Sequence, residues 1–275
     1  MFHRAILIPA ICAAALSGRA EPSLLDTGYR HLYDLEFTQA HQTFREWEHL
    51  KPDDPLGPAS DAAAYLFSEF DRLHILQSEF FTHDQHFITD HKLVPDPQVK
   101  LKFQAALEAG RALAARAPGD HNAQFAAILC NGLESDYLAL IDKRYGASLQ
   151  KMKAGRAMAE KLLAADPGFY DAWIAVGVEN YMLSVKPAPE RWFLRMGGAQ
   201  TSRALGIEKL KLTAEKGRYL SPFAKLLLAV AALRDDNTRQ ATALLRGLAI
   251  EYPHNPLYRQ ELARLGPLAS RSVPR

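Results

Sequence analysis

Apolar residues recur at helical spacing along almost the whole chain, and the stretches that carry them are broken by short polar turns. Four stretches end alike, on proline followed by a small or polar turn: Leu50 to Asp54 around Pro52, Arg116 to Asp120 around Pro118, Ala165 to Gly168 around Pro167, and Glu251 to Asn255 around Pro253. Proline pushes the residue before it out of the helical region and cannot continue a helix itself, so each of these prolines closes one helix ahead of the next. The pattern predicts five helix pairs: 23–35 with 38–50, 58–81 with 98–116, 121–141 with 147–165, 170–184 with 199–216, and 222–233 with 237–251. A last helix over 256–265 is expected to cap the end of the stack, and the tail 266–275 is expected to be disordered. The periodicity is interrupted twice, over 82–97 and 185–198. Long connections inside helical pairs are uncommon and are often functional.

When Pro52 is placed at position 32 of a 34-residue unit, Gly28, Ala40 and Phe44 fall at positions 8, 20 and 24. The same register on Pro253 puts Ala229, Ala241, Leu245 and Leu248 at positions 8, 20, 24 and 27. On Pro167 it gives Gly155 and Ala159 at positions 20 and 24, and on Pro118 it gives Ala106 and Gly110. Small residues are needed where two helices cross closely, and a large one fills the space beside them. In these residues the chain resembles the tetratricopeptide-repeat superfamily over most of 21–265, with the first and last units closest to the pattern. The resemblance implies an all-α fold, a right-handed superhelical solenoid of about five helix pairs whose first helices line a concave groove. It also implies that Tyr29 and Tyr33, and the successive asparagines Asn131 and Asn180, face a protein or peptide partner in that groove. The family's lysine and asparagine clamp for a C-terminal carboxylate is missing, since Ala123 and Ala127 stand in its place. The stretch 185–198, followed by Gly206 to Leu210, is also loosely similar to the inclusion-body clearance family of eukaryotic repeat proteins.

Composition refines this picture at the N-terminus. His3 and Arg4 precede an uncharged apolar run from Ala5 to Ser17, and Gly18 and Ala20 supply small residues at a cleavage site, so 1–20 reads as a secretory signal peptide. Its removal takes Arg4 and Arg19 and no acid, which balances the basic and acidic residues and leaves no general drive toward nucleic acid. It also takes Cys12 and leaves Cys130, in the apolar run 126–130, as a packed thiol without an internal disulfide partner. No other stretch is long and apolar enough to span a membrane. An exported chain of this kind suits a bacterial periplasm, with secretion from the cell as the alternative.

Catalytic and nucleotide-binding signatures are missing, which points to binding without catalysis and without a cofactor. Two segments carry candidate chemistry outside the groove. Trp192 and Phe193, flanked by Arg191 and Arg195 in the second interruption, form an apolar patch for a partner. His83, His86, Asp90 and His91 in the first interruption offer an alternative as divalent-metal ligands, with His86 and Asp90 on one face of a helix. Glu134 and Asp136 are assigned to a solvated or inter-helix polar site, and the run Asp235, Asp236, Asn237 to a turn and helix cap.

Overall fold

A computed structural model describes residues 22–76 and 93–269. Among them the chain forms twelve α-helices: α1 Leu24–Tyr33, α2 Phe37–Leu50, α3 Leu56–Arg72, α4 Pro97–Arg116, α5 His121–Leu140, α6 Tyr145–Ala165, α7 Trp173–Ser184, α8 Ala188–Met196, α9 Arg203–Lys216, α10 Ser221–Arg234, α11 Thr238–Glu251 and α12 Pro256–Ala269. A 3-10 turn over Tyr170–Ala172 leads into α7.

The four prolines act as their chemistry requires. The preceding residues Lys51, Ala117, Asp166 and Tyr252 share one conformation, with φ between −125° and −136° and ψ between 62° and 86°. Within the first and last pairs the turn between helices also repeats. Glu36 N–H donates to His31 O and Asn237 N–H donates to Ala232 O, while Leu35 and Asp236 sit in the left-handed region at φ 61° and 54°. This is a six-to-one helix-ending bond around a left-handed residue, built here without glycine. Asn237 then caps α11, accepting from Gln240 N–H, as the sequence leads one to expect.

Small residues stand where helices cross. A Cβ on Gly28 would lie 2.3 Å from the Phe44 ring, and one on Gly206 would lie 2.6 Å from the Tyr181 backbone nitrogen. Ala40, Ala241 and Leu248 are fully buried in the same register. Each helix packs on its successor, except that α9 packs on α7 across α8, and α3 also packs on α5.

The structure departs from the sequence reading in four places. The third helix ends at Arg72 rather than Phe81: the chain turns at His74 (φ 58°), Ile75 N–H donates to Phe70 O, and the Ile75 side chain is driven into the core. The second interruption contains a helix, α8. The last helix continues through Gly266 to Ala269, where a disordered tail was expected. Residues 1–20, the cluster His83, His86, Asp90 and His91, and residues 270–275 lie outside the described residues.

The fourth departure shapes the molecule. The first pair is bonded to the last. Tyr33 Oη donates to Tyr219 O (2.9 Å), Asn255 Nδ2 donates to Tyr33 O (2.8 Å) and His254 N–H donates to Asp34 Oδ1 (3.0 Å). Glu36 sits between His31 and His254, 2.6 Å from each ring nitrogen, and these two contacts hold its carboxyl below the usual range. Arg218 pairs with Asp26 at 2.7 Å. Rings continue the seam, Tyr29 on Tyr219 at 4.9 Å and Tyr33 on Tyr252 at 5.4 Å. The helix α12 therefore does more than cover a free end, since Tyr258 and Leu257 share a wall with Leu32 and Tyr33 of α1.

Candidate functional site

The helices α1, α3, α5 and α7, with α6 and the start of α10, converge on an inner cavity of about 90 Å³. That is room for roughly half a dozen waters. Rings supply much of its wall: Tyr29 and Tyr33 from α1, Phe67 from α3, Phe125 from α5 and Phe223 from α10. Aliphatic groups supply most of the rest, including Ile128, Leu133, Ile174 and Val178, with Met152 from α6. At Gly132 an added Cβ would meet nothing within 4 Å, so this face of α5 opens onto the cavity.

Nearly every polar side chain in the wall is engaged. Tyr29 Oη is bonded to Ser60 Oγ (3.1 Å), and Tyr33 Oη is bonded to Tyr219 O. Ser135 Oγ is bonded to Ser148 (3.0 Å), and Lys151 Nζ holds Glu134 at 2.8 Å. Asp136 has no such partner. Its carboxyl is crowded by protein yet stays partly open to water, and desolvation pushes its pKa from 3.8 up to about 7. Glu134, two residues away, behaves differently: Arg111 and Lys151 bond it, and its pKa falls despite a burial penalty that is the largest single influence on it. Glu134 is thus an inter-helix polar residue, as expected, whereas Asp136, partly reached by water, has no bonded partner. Asp136 lies on the stripe of α5 formed by Phe125, Ile128, Leu129, Gly132 and Leu133. An acid at a position where helical spacing calls for an apolar residue is the signal that could have found it.

A pH dependence follows. Below pH ~4 the Asp136 carboxyl is protonated in both the folded and the unfolded chain. Between about 4 and 7 the unfolded chain gives up the proton while the folded chain retains it, so folding loses stability as pH rises and levels off above 7. Asp136→Asn removes this penalty. Urea unfolding should find the variant about 2–4 kcal/mol more stable than the parent at pH 8, with the gap closing toward pH 4. A gap that does not change with pH would contradict the placement of this carboxyl.

The other residues singled out in the sequence are placed as follows. Tyr29 and Tyr33 do face inward, but they are buried against the far end of the chain, 4% and 6% exposed. Asn131 and Asn180 do not line the cavity. Asn131 is not among the residues of the wall; its Nδ2 donates to Ala127 O (3.0 Å) on its own helix and lies 3.4 Å from the Met158 sulfur on α6. Asn180 is fully buried; it donates to Gln200 Oε1 (2.8 Å) and accepts from Ser202 N–H (3.0 Å), fixing the segment that returns from α8. The amides of both are thus engaged within the protein, that of Asn131 on its own helix and with Met158, that of Asn180 with the return from α8. Trp192 and Met196, four residues apart on α8, are 57% and 69% exposed, whereas the side chain of Phe193 lies outside the described set. Cys130 is buried and its thiol is pushed up to about 12, as a packed thiol should be. Among the described residues no three metal-ligating side chains cluster, and no helix is long and apolar enough to cross a membrane.

Compared with family models, with curated proteins and with solved structures, the chain finds no match in any of the three.

Proposed function

We propose that this chain is an exported, non-catalytic binding protein built from tetratricopeptide-like repeats, and that its inner cavity holds a small, mainly apolar ligand. The observation that carries the reading is the cavity itself, walled by five aromatic rings where the first helices of successive pairs meet. A concave pocket of apolar groups with few polar ones is the usual form of a small-molecule site. The repeat assignment draws support from the shared pre-proline conformation, the matching turns at Leu35 and Asp236, and the Gly28 crossing beneath Phe44. Export rests on the character of residues 1–20.

The test is thermal unfolding in water and in toluene-saturated buffer. Toluene should raise the midpoint of the parent chain and leave that of Gly132→Leu unchanged, because the new side chain occupies the open space above α5. The same midpoint for the parent chain in both buffers would reject the reading.

A second reading has its own observation. The exposed pair Trp192 and Met196 favours a protein or peptide partner docked on α8. Pull-down by the parent chain but not by Trp192→Ala, with identical folding of both, would favour it.

A further inference from the structure

We infer that the ligand of the inner cavity is a compact organic amine, its ammonium group seated on the Asp136 carboxylate and its apolar body among the surrounding rings. The inference rests on the proposal that the cavity binds a ligand and goes further by naming the ligand's chemistry. It follows by elimination among the polar groups of the wall. The hydroxyls of Tyr29, Tyr33 and Ser135 are bonded within the protein, and the Lys151 ammonium is held by Glu134. What remains for a guest is one carboxyl, on the apolar stripe of α5.

A partly desolvated carboxylate without a partner is costly, and a cation brought beside it relieves that cost. A neutral guest would leave the cost in place, and an anionic guest would add to it. The wall also carries the rings of Tyr29, Phe67, Phe125 and Phe223, a residue type that attracts a cation wherever one meets a ring face. The charged or titratable groups that face Asp136 across the cavity are few: the two tyrosines of α1, Lys151 of α6 and, holding that lysine, Glu134. From α3, α7 and α10 only apolar groups enter the wall. The nearest cation, Lys151, is committed to Glu134 and exerts no resolved pull on Asp136. At about 90 Å³ the cavity is smaller than the ~150 Å³ that encloses benzene, so a ring-sized guest enters past the exposed Gly132 and keeps part of its bulk in solvent.

Benzylammonium chloride, ethylbenzene and benzoate are the probes, because the first two have the same shape and differ in charge. Binding is measured at pH 8 by ligand-observed NMR on the full chain, the Asp136→Asn variant and the Gly132→Leu variant, each first shown by circular dichroism to be folded. The expected result is benzylammonium binding at least tenfold tighter than ethylbenzene, no benzoate binding, loss of at least tenfold for benzylammonium in Asp136→Asn, and loss of both bound probes in Gly132→Leu. Ethylbenzene bound as well as or better than benzylammonium would overturn the amine inference and leave the cavity reading standing. Benzylammonium bound equally by Asp136→Asn would also overturn it, by placing the cation elsewhere. Failure of all three probes on the parent chain would reject the cavity reading together with the inference. Should Asp136→Asn fail to fold, Asp136→Ser takes its place with the same expected loss.

Discussion

Asp171→Ala will lower the stability of the folded chain by about 3–4 kcal/mol and its melting midpoint by roughly 10 °C. Asp171 is buried at the 3-10 turn before α7, and its carboxylate accepts three consecutive backbone N–H groups: Arg218 at 2.9 Å, Tyr219 at 3.1 Å and Leu220 at 2.8 Å. These groups belong to the loop that carries Tyr219 onto Tyr29 and starts α10. Alanine leaves all three donors without an acceptor, and those of Tyr219 and Leu220 are buried. Burial lifts the pKa of Asp171 more than the three bonds lower it, so part of the loss is offset by no longer burying the carboxyl. That offset keeps the expected loss below the sum of three charge-assisted bonds. Asparagine is not a rescue. Its Oδ1 can keep the Tyr219 and Leu220 bonds, which share one oxygen, but its Nδ2 then sets a donor against the Arg218 N–H, and a loss of about 2 kcal/mol is expected. Differential scanning calorimetry of the parent, Asp171→Ala and Asp171→Asn checks both values, and a shift under 3 °C for alanine would show that the loop is held by other contacts.

The second large effect is expected at Arg156. Its Nε lies 2.9 Å from Oε2 of Glu179, a residue with no solvent exposure, whose other oxygen accepts from Gln200 N–H at 2.9 Å. Arg156→Met leaves the Glu179 charge buried with one backbone donor, a loss of about 3–5 kcal/mol. In Arg156→Met with Glu179→Gln the buried charge is gone and the Gln200 bond can remain, so the double variant should be more stable than the single Arg156→Met by at least about 1 kcal/mol. Urea unfolding of the parent, both single variants and the double variant gives the coupling directly. Additive losses would mean that the pair is not desolvated. Because Gln200 and Asn180 hold the return from α8, proteolysis near 197–202 should also quicken in Arg156→Met.

Much of this architecture can be read from local chemistry. Proline and the polar residues around it end helices wherever they occur, so the bounds of α2, α4, α6 and α11 match the periodic stretches within a residue or two. Gly28 and Phe44 were recognisable as a crossing because a missing side chain and a large one sit at complementary positions of one unit. The fourth pair held the same information in Gly177 and Gly206, each with a neighbouring side chain or backbone about 3 Å or less from where a Cβ would stand. There no proline marks the register. The cavity was less legible. Its wall draws on six helices, and periodicity reports which face of a helix is buried without saying against what. The seam between first and last pairs was not legible at all. Asp34, Glu36, His254 and Asn255 read as ordinary turn residues, and their partners lie more than 200 positions away.

That seam has a consequence for how the chain can change over evolutionary time. An open array can gain or lose a unit and keep working, because each new unit needs only a neighbour to lean on. Here the number of helix pairs is locked by the bonds between the first and the last. One pair more or one pair fewer would carry His254 and Asn255 away from Glu36 and Tyr33, and every bond across the join would be lost together. The lineage of this protein is therefore expected to vary in the lengths of its insertions, above all at α8, while holding its number of helix pairs constant.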